Sequence, residues 1–254
     1  PRTVFVQTQE LQKFHDLLFI KCFPVQHRFV LITGDDDTTT PNQLDKRYQV
    51  ALRPGTWDAW LADTRIAHMF IEHLDTTAPK ERVTPIPLGL NPQEHENENP
   101  DIALDEAVNV TSISTRPVQI LFTNRIREGG IGQWQDRAKA RALCQSLAHC
   151  HVKQDIPRQQ YTSMIQKFPF LLCVHGGGID PNPNLFRALL AGVIPIIYDS
   201  FPGQSMYHDM PVVIAERHGV WREPNYTMTL SVEYLMQKLH ELAPYFEDPV
   251  QRSG

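Results

Sequence analysis

The segment that decides the fold spans residues 168–197 and reads FPFLLCVHGGGIDPNPNLFRALLAGVIPII. Residues 170–174 and 193–197 are apolar runs typical of buried strands. Residues 185–191 have the composition of a helix, and Gly192 follows as a helix stop. A strand, a helix and a second strand in this order predict two parallel strands joined by a right-handed crossover.

Three successive glycines, Gly176, Gly177 and Gly178, follow the first of these strands. Because glycine has no side chain, the backbone there could approach a ligand closely, and the next helix could direct its first amides toward a diphosphate. The segment lacks the lysine of a Walker motif. An isolated run of glycines is more often a tight turn, so the assignment depends on the residues around it.

Strands and helices also alternate through the rest of the chain. Strand patterns occupy residues 4–6, 28–33, 67–71, 83–88 and 118–122, and helix patterns occupy residues 10–20, 57–62, 134–148 and 160–167. Such repeated units predict an α/β fold with parallel sheets. The stretch from 91 to 117 is acidic and rich in Asn and Pro, as expected of a connection between lobes. We therefore predict an N-terminal lobe (1–95), a connection (96–116), a C-terminal lobe (117–230) and a C-terminal helix with a tail (231–254).

Composition narrows the classes of partner. The chain has 254 residues, with 29 acidic and 24 basic side chains and a formal net charge of -5. This balance argues against a broad basic surface for nucleic acid, so we expect any anion to be held locally. No apolar stretch approaches the roughly 18 to 20 residues of a membrane span, and the first residues lack the order of a signal peptide. We expect a soluble, cytoplasmic protein, although a start at Pro1 leaves open a processed end and a removed anchor.

The cysteines do not form a recognisable framework. Neither C-x-x-C spacing nor the density of a disulfide-stapled domain is present. We therefore expect buried free thiols. The four residues are Cys22, Cys144, Cys150 and Cys173.

The segment 168–197 resembles the donor lobe of the exostosin-like glycosyltransferases, in which a strand F-x-L-C-P-x-G precedes a polar loop and R-x-x-E-A-L-x-A-G-x-I-P-I. Upstream, Tyr161 and the stretch 121–125 also fit that lobe, and residues 29–37, 69–70 and 85–91 look like the family's short bacterial and large-virus members. The matching residues of the donor motif are Phe170, Leu172, Cys173, Gly176, Gly178, Asp180, Ala188, Leu189, Gly192, Ile194, Pro195 and Ile196.

This resemblance implies a compact GT-B-like arrangement of two Rossmann-like lobes with parallel sheets. The N-terminal lobe would present the acceptor and the C-terminal lobe would bind the donor. The implied reaction moves a sugar from a UDP-sugar, with xylose weakly preferred, to a hydroxyl of a glycan or glycoprotein acceptor. It would be inverting and independent of metal, with the UDP-sugar as co-substrate and no other cofactor. From charge and hydropathy, we expect neither a nucleic-acid partner nor a membrane span.

The donor residues implied by the resemblance surround the glycine run. Asn184 and Arg187 stand where the family has an Arg and then a Glu, a residue that often holds the ribose hydroxyls. Arg187 could bind a diphosphate or a donor carboxylate through its planar guanidinium. For Arg125 and Arg127, a position on the surface without a role in donor binding is the alternative. The full set is Arg125, Arg127, Tyr161, His175, Gly176, Gly177, Gly178, Asp180, Asn184 and Arg187.

An inverting transfer also needs a base for the acceptor hydroxyl. Asp35, Asp36 and Asp37 emerge from a predicted buried strand, and we favour Asp35, which aligns with the family's strand-end aspartate, with Asp37 second. The three carboxylates could instead hold Mn²⁺ or Mg²⁺, or form a solvated acidic turn. Glu72 and His73 are a further acid–base pair. A glycan- or nucleotide-binding module without catalysis is the remaining alternative, because the family's Glu is missing.

Overall fold

The computed structural model describes residues 2–19, 27–43, 52–90, 112–126, 133–176, 178–179, 181–198, 206–215 and 229–247. The chain divides into two compact units. Unit 1 comprises Pro1–Leu88, Gly176–Asp180 and Ser200–Met206, and unit 2 comprises Gly89–His175, Pro181–Asp199 and Tyr207–Gly254.

Unit 1 is built on a four-stranded parallel sheet. Its strands are β1 (Arg2–Gln7), β2 (Phe29–Gly34), β3 (Ile66–Glu72) and β4 (Val83–Ile86), in that spatial order. Since all four are parallel, their carboxyl ends share one edge of the sheet. The ends of β2 and β3 therefore bring the segments after Gly34 and Glu72 side by side.

The helical part of unit 1 closes one face of this sheet. Helix α1 (Leu11–Phe14) lies between a 3₁₀ turn (Thr8–Glu10) and a π turn (His15–Phe19), and α2 (Thr56–Ala62) follows β2. The single helix predicted over 10–20 is thus a succession of three helix types, and residue 20 lies outside the described part. Trp60 of α2 is fully buried and donates its indole N–H to His15 Nδ1 at 2.8 Å. Leu11 and Phe14 of α1 and Trp60 of α2 belong to an apolar core that is otherwise formed mainly by strand residues.

Unit 2 is built on a five-stranded parallel sheet with the order β6-β5-β7-β8-β9. The strands are β5 (Ile120–Phe122), β6 (Cys150–Val152), β7 (Phe170–Leu172), β8 (Ile194–Tyr198) and β9 (Val213–Ala215). The helices are α3 (Gln133–Ser146), α4 (Arg158–Ile165), α5 (Asn184–Leu190) and α6 (Val232–Glu247). Leucines of α6 complete the core over the sheet.

The order of strands in unit 2 reverses once. From β5 the chain moves outward to β6, then returns past β5 to β7 and continues in the opposite direction. In doubly wound sheets, the crevice outside the carboxyl ends of the two strands at such a reversal is where ligands bind. The fold of unit 2 therefore predicts a ligand site at the loops after β5 and β7.

These observations confirm the predicted α/β class with parallel, Rossmann-like sheets. Gly192 ends α5 as expected, with a φ of 68° that few other residues adopt. The edge strands β6 and β9 were not predicted, and in β6 the polar His151 stands between Cys150 and Val152, so that strand lacks an uninterrupted apolar run. Among the described residues, no helix is both long and apolar enough to cross a membrane.

The prediction of free thiols is wrong for two of the four cysteines. Cys144, near the end of α3, forms a disulfide with Cys150, the first residue of β6, across a Cα–Cα distance of 5.1 Å. The helix and the strand turn back on each other within six residues, which the spacing alone did not indicate. Cys173 is a buried free thiol, and burial raises its pKa. Cys22 lies outside the described residues.

Loss of this disulfide is expected to lower the free energy of unfolding by about 2 kcal/mol, since it closes a short loop in the unfolded chain. Urea denaturation with and without a phosphine reductant measures the effect. The double variant Cys144→Ala/Cys150→Ala is the control, because its stability should not respond to the reductant. An equal response of both proteins would contradict the disulfide.

Candidate functional site

Two loops meet at the strand reversal of unit 2. Asn124, two residues after β5, donates from Nδ2 to the carbonyl oxygen of Val174 after β7 at 3.0 Å. Asn182 also donates from Nδ2 to Val174 O. Both asparagines are buried; the Asn124 amide ties the loop after β5 to the loop after β7, and the Asn182 amide closes the loop after β7 on itself.

A cleft of about 330 Å³ opens beside this junction, at the carboxyl ends of β5 and β6. It shares the loop after β5 and adds the loop after β6 and the start of α4. Arg125 and Lys153 give it two exposed cations, and Asp155 gives it an exposed carboxylate. The lining residues are Thr123, Arg125, Ile126, Lys153, Gln154, Asp155, Ile156 and Tyr161.

Three of the predicted donor residues come together here. Arg125 and Tyr161 line the cleft, and the guanidinium of Arg187 lies 5.6 Å from the centre of the Tyr161 ring. The hydroxyls of Tyr161 and Thr123 are 3.0 Å apart and hydrogen-bonded. A cation over an aromatic face and a hydroxyl pair hold this wall of the cleft in shape.

His175 has a different environment from the one predicted for a diphosphate ligand. Its side chain is 1% exposed, and Nε2 lies 3.0 Å from Oδ2 of Asp136. The ring packs edge-on against Tyr198, and the backbone carbonyl accepts a hydrogen bond from Arg137 Nε at 2.8 Å. These contacts make His175 part of the scaffold beneath the loop after β7.

The first amides of α5 are already engaged. The backbone N–H of Asn184 donates to Asn182 Oδ1 at 2.9 Å, and that of Leu185 donates to Asn182 O at 3.0 Å. Pro183 has no N–H to offer. The helix has seven residues, and we assign no anion site to its start.

Other predicted donor residues fall outside this cleft or outside the description. Arg127, Gly177 and Asp180 lie outside the described residues. Gly176 and Gly178 belong to unit 1. There a Cβ on Gly178 would come within 2.3 Å of Cε1 of His73, so only glycine fits against this imidazole ring.

The three adjacent aspartates of unit 1 have separate environments. Asp35 is exposed, adopts a φ of 65°, and accepts a hydrogen bond on Oδ2 from Gln7 Nε2 at 2.8 Å. Asp36 Oδ1 accepts hydrogen bonds from both the N–H and the hydroxyl of Thr38, each at 2.8 Å. Asp37 is half-buried. Within the described part of the chain, no group of three or more His, Cys, Asp or Glu side chains could hold a metal ion.

Glu72, the last residue of β3, is a buried acid of unit 1 with a shifted pKa. Its side chain is buried, and Oε2 accepts the backbone N–H of Asp35 at 2.7 Å. Oε1 is buried, accepts no hydrogen bond from the described residues, and lies 3.8 Å from His73 Nε2. Burial, and to a smaller extent the charges of Asp35, Asp37 and Asp36, raise the pKa of Glu72 to about 7. A strongly shifted acid at a strand end is typical of a functional site.

Two neighbouring features keep this strand end in place. A Cβ on Gly34 would come within 2.2 Å of Glu72 Oε2, so glycine at the end of β2 makes room for the carboxylate. Buried Asp75 accepts hydrogen bonds from the Thr39 hydroxyl at 2.6 Å and from the backbone N–H of Asn42 at 3.0 Å. The segment after β3 is thereby tied to the segment after β2.

Sequence reasoning included Glu72 as a further acid–base candidate but ranked Asp35 and Asp37 above it, because adjacent aspartates give a stronger pattern. It missed Lys153 and Asp155, since both follow β6, a strand that was not predicted. No protein-family model and no curated protein matches this chain.

Proposed function

We propose that this chain is a glycosyltransferase that moves a sugar, preferentially xylose, from a UDP-sugar to a hydroxyl of a glycan. The proposed reaction is inverting and needs no metal. The observation that carries the proposal is the cleft of unit 2, which combines two cations, a carboxylate and an aromatic ring beside a strand reversal. Residues 168–197 resemble the donor lobes of exostosin-like enzymes, and this resemblance suggests a sugar nucleotide as the ligand.

The chemistry of the cleft suits a nucleoside diphosphate. Arg125 and Lys153 can neutralise a diphosphate, which is the leaving group of the transfer. The ring of Tyr161 offers a surface for a base, and the carboxylate of Asp155 can accept hydrogen bonds from ribose hydroxyls. Asp155 would then perform the task of the Glu that Arg187 replaces in the family pattern.

Calorimetric titration with UDP and UDP-xylose, with and without EDTA, tests the donor site. We expect each of the variants Arg125→Gln and Lys153→Met to weaken UDP binding by about tenfold or more, because each loses a charge-assisted hydrogen bond. Lys167→Met is the matched control, since Lys167 is exposed on unit 2 and does not line the cleft. Unchanged affinity in both cleft variants, or the absence of any UDP binding, would overturn the donor-site assignment.

A non-catalytic nucleotide-binding module is the second candidate. It is favoured by Arg187, which stands where the family has a Glu and packs over Tyr161. Binding of UDP-sugars without transfer or hydrolysis would identify this module. Transfer that EDTA abolishes would favour the metal-dependent alternative at Asp35, Asp36 and Asp37.

The cytoplasmic location expected from the sequence stays a prediction. The disulfide between Cys144 and Cys150 is of a kind that persists chiefly in oxidising compartments. That the acceptor is a glycan is also part of the proposal. The cleft of unit 2 supports only the binding of the donor.

A further inference from the structure

One side of the cleft in unit 2 depends on the short strand β6. The loop 153–156 lines the cleft and follows β6 directly. This strand has three residues, lies at the edge of the five-stranded sheet and pairs with β5. Since only one side of an edge strand is paired with another strand, restraints outside the sheet contribute to its position.

The disulfide between Cys144 and Cys150 is such a restraint. Cys144 belongs to α3 and Cys150 begins β6, and both are buried in the apolar core of unit 2. The N–H of Cys150 also donates to the carbonyl oxygen of Leu147 at 3.0 Å. The start of β6 is therefore joined covalently to a residue of the core.

Hydrogen bonds connect the end of β6 to the strand and the loop beside it. Lys153, directly after β6, donates its backbone N–H to Phe122 O at 3.0 Å, and Gln154 Nε2 donates to Asn124 O at 3.3 Å. The backbone of Asp155 adopts a φ of 55°, which is unfavourable for a residue with a side chain. Such a conformation persists where the flanking structure imposes it, so the loop 153–156 needs a fixed strand before it.

We propose that the disulfide of Cys144 and Cys150 positions Lys153 for donor binding, so that the affinity of the cleft for a nucleoside diphosphate depends on this bond. The inference rests on the proposed function and deepens it by adding a positioning element outside the cleft. Neither cysteine lines the cleft, and both act through the loop that carries Lys153. A loop held in its binding conformation before the ligand arrives loses less freedom on binding, which strengthens the affinity.

The two cations of the cleft differ in their relation to the disulfide. Lys153 directly follows the strand that begins at Cys150. Arg125 follows β5, which is paired on both sides, with β6 and with β7. Loss of the bond should therefore displace Lys153 and leave Arg125 in place. This difference distinguishes a positioning role from general stabilisation.

Calorimetric titration with UDP compares the wild type with Cys144→Ala/Cys150→Ala. We expect the double variant to bind UDP about three- to tenfold more weakly, because its loop must be ordered on binding. Loss of stability alone would leave Kd unchanged where circular dichroism shows the variant to be fully folded, because Kd scales with the inverse of the folded fraction. In UDP-xylose turnover, the substitutions should raise KM and leave kcat within about twofold.

The same cysteine substitutions in two cleft variants locate the effect. In Arg125→Gln they should again weaken UDP binding by about three- to tenfold, because Lys153 is still present to be displaced. In Lys153→Met they should cost less than about twofold, since the side chain that the bond positions has been removed. Equal losses in the two backgrounds would contradict the positioning of Lys153.

Equal UDP affinity of Cys144→Ala/Cys150→Ala and a wild type that binds UDP would overturn this inference and leave the proposed function intact. A wild type that binds no UDP would overturn both. If the double variant does not fold, Cys144→Ala/Cys150→Val replaces it, because valine preserves apolar volume and suits a strand. A wild-type Kd in that variant would count against the inference in the same way.

Discussion

Replacing Glu72 with Gln is expected to raise the free energy of unfolding by up to about 3 kcal/mol above about pH 8, and to change it little below about pH 4. Burial raises the pKa of Glu72 from its ordinary value of 4.5 to about 7 in the folded protein. Below pH 4.5 the carboxyl is protonated in both states and costs little. As the pH rises toward 7, the unfolded chain ionises more readily than the folded one, so stability is lost. Glutamine avoids this loss because it carries no charge.

Urea denaturation of the wild type and of Glu72→Gln between about pH 4 and about pH 9 measures the difference. Titrating groups that do not interact with Glu72 contribute equally to both proteins and cancel in the comparison. Glu81→Gln should shift stability by less than about 0.5 kcal/mol, because Glu81 is an exposed carboxylate of the same unit. A difference that does not vary with pH would contradict the raised pKa of Glu72.

Gly34→Ala is expected to lower the free energy of unfolding by about 2 to 3 kcal/mol. The added Cβ would come within 2.2 Å of Glu72 Oε2 and 3.3 Å of its Cδ. The carboxylate would have to move, and it would lose the hydrogen bond from the Asp35 N–H. Thermal and urea unfolding of the single variant measure this cost.

A double-mutant cycle separates the carboxylate from general crowding. In a Glu72→Ala background, Gly34→Ala should cost less than about 1 kcal/mol, because only the Cβ atom of residue 72, at 3.2 Å, remains close. The coupling energy between the two sites should therefore be about 1 to 2 kcal/mol. Equal costs of Gly34→Ala in both backgrounds would show that the glycine is needed for another reason.

Several elements could be predicted from the sequence because their signals are local. The apolar runs near Phe29, Phe170 and Ile194 became the buried strands β2, β7 and β8, since short apolar runs are typical of strands buried in a parallel sheet. Gly192 marked the end of α5 because a positive φ favours glycine. The edge strands β6 and β9 were not predicted, and each pairs with one neighbouring strand of the sheet.

The candidate site was only partly predictable. Arg125, Tyr161 and Arg187 were selected from the sequence; the structure places Arg125 and Tyr161 in the lining of one cleft and Arg187 over the Tyr161 ring. His175 was selected by the same pattern, yet its ring is buried against Asp136 and Tyr198. Whether a polar side chain faces a ligand or the protein interior depends on packing, which a linear motif does not encode.

The sequence by itself determined the alternation of strands and helices, the parallel sheets and the loop segments that hold candidate residues, because these follow from periodicity and from residue conformation. Tertiary structure alone decided the disulfide of Cys144, the strand order of unit 2 and the state of Glu72. Glu72 differs from Asp35 through burial and through the neighbours that face it. Those neighbours come from separate strands, and only folding brings them within reach of one another.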